Sequence, residues 1–251
     1  MDLTGKAAIV TGGASGIGEA LVVQLRDAGA DVLAVDLDQP GLDRVSEATG
    51  CTTMHIDVTS RAANLAVVAR CIELFGTLDL SFLNAGVLDR KREELGDPFG
   101  VNDLDFDRYE LVRGVLLDAV VHGTAAATER MQGDGTIIAT ASAAGLVPWH
   151  PTPIYSAMKH GVVGWVRAVA PALERDGVRI NAICPGGIAT PLLGVPAERS
   201  ESIDRMLSPR EVAAAMIELA LGDRTGEAWS IVANRDPVLQ PHDFNAIPDF
   251  P

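Results

Sequence analysis

Cysteine is scarce in this chain. Cys51, Cys71 and Cys184 are odd in number and lack C-x-x-C or metal-ligand spacing, so they support neither a disulfide framework nor a zinc site. His55, His122, His150, His160 and His242 are equally scattered, and no metal is expected. Basic side chains are outnumbered, 20 against 34 acidic ones, and the net charge of -14 opposes binding to nucleic acid or to an anionic membrane. No uninterrupted apolar run nears the roughly 18 residues that span a bilayer. Residues 1–6 lack the basic region and apolar stretch of a secretory signal, which favours a cytoplasmic location. Repeats, low-complexity tracts and linkers are also missing, so residues 1–251 are expected to form one domain.

The chain is organised around residues 7–20. A short apolar run, residues 7–10, reads as a buried strand; Gly12, Gly16 and Gly18 shape a turn; Ile17, Ala20, Leu21 and Leu25 then recur at helical spacing. Glycines let a turn adopt dihedrals closed to other residues and let a pyrophosphate approach the backbone. The amides and positive dipole end of the following helix favour phosphate. A glycine turn of this kind also serves simply to reverse a strand into a helix. Residues 31–36 form a second apolar run ending in Asp36, near the offset of about 20 residues at which a carboxylate meets the ribose of a dinucleotide. Asp36 would repel a 2′-phosphate, and Ala14, Ser15, Leu37, Asp38 and Gln39 offer no cation to attract one, which favours NAD over NADP. Its alternative role is to cap a strand end.

Strand and helix signals keep alternating. Helices are expected over residues 42–48, 62–75, 109–131, 156–173 and 211–221, and strands over 52–56, 78–83, 136–140, 178–183 and 226–232. Parallel strands need crossover helices, so the expected fold is α/β, a single doubly wound Rossmann-like domain with a parallel sheet of about seven strands. Residues 88–107, with the charged run Asp89 to Glu94, read as a solvated connection or as the border of a site.

Tyr155 and Lys159 are four residues apart and share a helix face, where an ammonium would lower the phenol pKa. Ser142 ends a preceding strand, where its hydroxyl can bond a reacting oxygen. Each feature alone is common, and a Y-x-x-x-K pair is often only a surface pair. Together they resemble the short-chain dehydrogenase/reductase family over almost the whole chain. Thr11 to Gly18, including Gly12, Ser15, Gly16, Ile17 and Gly18, is similar to the family's cofactor turn. Asp57-Val58 resembles its adenine-contacting pair, and Asn84-Ala85-Gly86 its cofactor-facing motif. Ser142, Tyr155 and Lys159 stand in its catalytic order. Pro185-Gly186-Gly187-Ile188-Ala189-Thr190 resembles the segment packed on nicotinamide, with Ile188 and Thr190 as carboxamide contacts.

The resemblance implies hydride transfer between NAD(H) and a secondary alcohol or ketone. Tyr155 would be the acid-base, Ser142 the oxygen-orienting group, and Lys159 the group that tunes Tyr155 and holds the nicotinamide ribose. It also implies a homodimer or homotetramer built through the long central helices. One departure is Leu116, which aligns where the family usually has a catalytic asparagine; another register would place Arg113 there. Residues 190–209 correspond to the variable substrate loop, and Leu146, Val147 and Trp149 add apolar character, which fits a partly hydrophobic substrate as well as simple loop packing. Residues 233–251 depart from the family as a proline-bearing tail. The competing reading is a catalytically weak NAD-binding sensor or scaffold protein.

Overall fold

The computed structural model describes residues 2–90, 94, 100–131, 133–190, 192, 206–233 and 238–243. Eight strands form one sheet in the order β3-β2-β1-β4-β5-β6-β7-β8. The first seven are β1 (Ala7–Thr11), β2 (Asp31–Asp36), β3 (Thr52–His55), β4 (Leu80–Leu83), β5 (Gly135–Thr140), β6 (Val178–Pro185) and β7 (Ala228–Val232), and all pair in parallel. The strand order reverses between β1 and β4, so the chain leaves the sheet in opposite directions there and opens a crevice at the carboxyl ends.

Side chains on a strand alternate between faces, and both faces here are apolar. Ala7 and Ile9 join one core with Leu33 and Val35, under α3 (Arg61–Phe75), α5 (Ala119–Thr128) and α6 (Pro153–Arg175). Ala8 and Val10 join the other with Val32 and Ala34, under α1 (Gly16–Asp27), α2 (Gln39–Thr49) and α7 (Pro209–Leu221). Helix starts are capped by side chains: Ser208 and Glu211 close a reciprocal capping box on α7, and Ser60 accepts the Ala63 N–H at the start of α3.

Three sequence expectations are corrected. The helix expected over residues 109–131 is α4 (Phe106–Arg113), a π-helical turn over Gly114–Asp118, and α5, ending at Thr128. This continuous 23-residue stretch reaches a mean hydropathy of 1.2 and is long and apolar enough by those measures to cross a bilayer. It packs against α3 and α6 as a core helix. The tail contains an eighth strand, β8 (Val238–Pro241), antiparallel to β7. Pro241 is tolerated because it sits on the sheet edge. The run after β4 is not solvated throughout, since Asp89 is buried. Residues 91–93 and 95–99 of that run, most of the expected substrate loop (191 and 193–205) and tail residues 234–237 and 244–251 lie outside the described residues.

Candidate active site

The carboxyl ends of β1, β4 and β5 are tied by one polar network. Thr11 Oγ1 donates to the Phe82 carbonyl at 3.4 Å and accepts the N–H groups of Asn84 and Ala85 at 2.9 and 3.2 Å. Asn84 Nδ2 donates to the Thr11 carbonyl at 3.2 Å, and Asn84 Oδ1 accepts from Thr140 Oγ1 at 3.2 Å. This network holds the rim of a cavity of about 600 Å³. Every catalytic and cofactor-binding residue expected from the sequence lines it except Gly18, while Leu146, expected to add apolar character near the substrate, packs against the core. Gly18 instead lies beneath the turn, where a Cβ would stand 1.9 Å from the Gly12 carbonyl oxygen.

At one end of the cavity, Gly12 and Gly16 take left-handed φ values of +69° and +56°. Ser15 is the N-cap of α1, yet its side chain makes no capping bond, so the first-turn amides remain open to an anion. Asp36 accepts the Leu37 and Asp38 N–H groups on Oδ1, at 2.7 and 3.1 Å, and the Ala14 N–H on Oδ2 at 3.0 Å. It therefore caps the strand end, as its alternative role requires, and Oδ2 keeps a lone pair for a further donor. Asp57 accepts the Thr59 N–H at 2.9 Å and faces the same cavity.

At the other end stand Ser142, Tyr155 and Lys159. Lys159 is only 3 % exposed, and its ammonium donates to the Thr140 carbonyl at 2.5 Å and sits 5.6 Å from the Tyr155 ring centre. Burial lowers its pKa to about 8. Tyr155 departs from the sequence expectation: burial raises its pKa, and a hydrogen bond from Ser142 opposes that shift. Desolvation of the phenol sets the direction, against the lowering expected from Lys159. Ser142 Oγ also accepts the Ala144 N–H at 3.1 Å.

Leu116 is fully buried in a cluster with Tyr155, Met158 and Ala144, whereas Arg113 is exposed and paired with Asp118 at 3.1 Å. The register that puts Leu116 at the site is the one adopted. Trp149 meets Tyr155 edge-on, with ring centres 6.1 Å apart. Val87, Leu88, Val115 and Val147 also line this end; sequence reading did not assign Val87, Leu88 or Val115 to the site. Nor did it find Thr140, the last residue of β5, although its place two residues before Ser142 was a usable signal.

Comparison with known proteins agrees with this layout. The model of the family described as short chain dehydrogenase matches residues 6–200. The chain belongs to this family. Short-chain dehydrogenases are oxidoreductases that bind a nicotinamide cofactor, and the glycine turn, open helix terminus and Asp36 fit such a dinucleotide. A 3beta-hydroxysteroid dehydrogenase 2 of Eggerthella lenta is 33 % identical, covering 89 % of this chain and 90 % of its own. A 15-hydroxyprostaglandin dehydrogenase [NAD(+)] of Rattus norvegicus is 31 % identical across 100 % of this chain and 98 % of its own. The crystal structure of a Brucella melitensis 3-ketoacyl-(acyl-carrier-protein) reductase complexed with NADH superposes on this short-chain dehydrogenase with a TM-score of 0.82. It is 26 % identical and covers 93 % of this chain and 99 % of its own.

Proposed function

We propose that this dehydrogenase oxidises a partly hydrophobic secondary alcohol, or reduces the matching ketone, with NAD(H). The observation that carries the reading is the convergence of Ser142, Tyr155 and Lys159 with the glycine turn and Asp36 on one cavity. Bound NAD supplies a hydride acceptor at nicotinamide C4. The protein residues handle the proton and the orientation. In oxidation Tyr155 takes the hydroxyl proton as hydride leaves the carbinol carbon; in reduction it returns a proton to the oxygen. Ser142 hydrogen-bonds the same substrate oxygen and stabilises charge that develops on it. Lys159, buried beside the Tyr155 ring, would hold the nicotinamide ribose with its ammonium. Val87, Leu88, Val115 and Trp149 keep water from the reacting carbon and accept apolar substrate surface. Asp36 favours NAD by repelling a 2′-phosphate.

A second reading, a catalytically weak NAD sensor or scaffold, is favoured by Leu116, which offers a backbone carbonyl but no amide where the family usually has asparagine. One experiment separates the two: NADH and NADPH binding by fluorescence, followed by NADH formation across a panel of cyclic, aromatic and aliphatic secondary alcohols, for the parent and Tyr155→Phe. The enzyme reading expects tighter NADH than NADPH binding, turnover by the parent, and turnover by the variant reduced about 10²-fold or more with NADH affinity kept. Turnover unchanged by Tyr155→Phe removes the acid-base assignment. Equal affinity for both cofactors removes the role given to Asp36.

A further inference from the structure

Helix α6, which carries Tyr155 and Lys159, starts at Pro153, but the side chain of its N-cap Thr152 makes no capping bond. The helix is fastened from a distant part of the chain. Asp89, on the segment after β4, accepts the Ile154 N–H on Oδ2 at 3.1 Å, one residue before Tyr155. Asp89 is 7 % exposed, and its second oxygen, Oδ1, has no hydrogen-bond partner among the described residues. Its segment is anchored on both flanks: Arg108 of α4 donates to the Leu88 carbonyl, and Arg90 Nη1 donates to the Pro151 carbonyl at 3.1 Å. A carboxylate so confined has few ways to swing away from the helix end, and it places a negative charge at the turn that carries Tyr155.

We propose that Asp89 is a positioning residue for Tyr155: its carboxylate fastens the first turn of α6 and sets the negative field in which the phenol exchanges its proton. This rests on the acid-base role given above to Tyr155. The titratable or charged groups around the phenol are Lys159 on its own helix, Asp89 on the segment after β4, Cys184 on β6, and Tyr109 on α4, which packs into the same cluster. Asp89 and Cys184 act against phenolate, in the same direction as burial, while the Ser142 hydrogen bond acts for it. Burial raises the Asp89 carboxyl, and backbone N–H groups with Arg90 pull it back down. In the alkaline range where tyrosine titrates, Asp89 carries its charge.

Asp89→Asn keeps an acceptor for the Ile154 N–H and removes the charge, whereas Asp89→Ala removes both. Because the chain has only two tyrosines, Tyr109→Phe leaves Tyr155 as the single phenol. In that background, ultraviolet absorbance of phenolate is titrated without substrate or cofactor, over the pH range where circular dichroism reports the folded state. The acidic limb of the kcat/KM profile for an accepted alcohol is recorded in parallel. Removal of a nearby negative charge favours phenolate, so Asp89→Asn should shift the titration midpoint and the acidic limb to lower pH, with Tm near the parent value. Asp89→Ala should lower Tm below both. No shift of either pH readout in Asp89→Asn overturns the electrostatic role, and equal Tm in all three proteins overturns the fastening. The absorbance and melting readouts need no turnover, so they stand or fall independently of Tyr155→Phe.

Discussion

Lys159 shows how far a single side chain can be moved from its solution chemistry. Unfolded, it titrates near 10.5; folded, burial brings it to about 8. Between those values the unfolded chain holds a proton that the folded chain has released, so this residue makes stability rise with pH across that window. Below about 8 the full cost of burying the ammonium is present. The span corresponds to about 3 kcal/mol. Lys159→Met has no such group, and the stability of the parent relative to the variant should increase by about that amount between pH 8 and 10.5. Denaturant unfolding of both proteins at several pH values measures it, and parallel stability curves would refute it. Cys71 and Cys184, both raised to about 12 by burial, give an opposite slope above their ordinary value, present in both proteins and so mostly cancelled in the comparison. Leu116 belongs to the same scale. Its apolar side chain is compatible with the site because the surrounding cluster of Val112, Met158 and Ala144 is apolar as well.

Among the elements, the unit from β1 through α1 depends on a backbone contact that no side chain can replace. The α1 backbone at Gly18 passes so close to Gly12 that a Cβ would also stand 3.0 Å from Asn84 Nδ2. Gly18→Ala must push the helix from the turn, at a cost of about 1–3 kcal/mol. It should weaken NADH binding and lower Tm together. Unchanged NADH affinity with normal Tm would show that the turn can absorb the methyl. Strand β2 was legible to the residue, since four buried apolar positions are bounded by Asp31 and Asp36. The π turn inside the long central helix was not, because widening one turn depends on what packs across it and leaves no mark in apolar spacing. Strand β8 was not legible either: the tail read only as a proline-bearing departure from the family, and β8 pairs along the edge that β7 presents.

At the scale of the whole molecule, apolar side chains remain exposed on and beside α4, with Phe106 at 71 % and Leu111 at 45 % exposure, and Val101 just before the helix. The long central helices are where family resemblance places subunit contacts, so this surface is the expected site of self-association. For an assembly built through this surface, the double substitution Phe106→Glu and Leu111→Glu should yield a smaller species in sedimentation velocity while leaving the circular dichroism spectrum unchanged. An unaltered sedimentation coefficient would place the contact elsewhere.

The sequence alone determined what local chemistry decides. Strand-turn-helix periodicity, the glycines at the first turn, the acid at the end of β2 and the four-residue interval from Tyr155 to Lys159 need only near neighbours to have their effect. Tertiary structure decided everything that depends on distance through the fold. Ser142, Tyr155 and Asp36 reach one cavity only because the fold brings the carboxyl ends of β2 and β5 and the first turn of α6 to the same crevice. Packing chose Leu116 over Arg113 for the inward position, and brought Asp89 to the Ile154 N–H across 65 residues of sequence. It also reversed the expected shift of Tyr155, because desolvation is set by all the atoms around a group, and most of those atoms come from other parts of the chain.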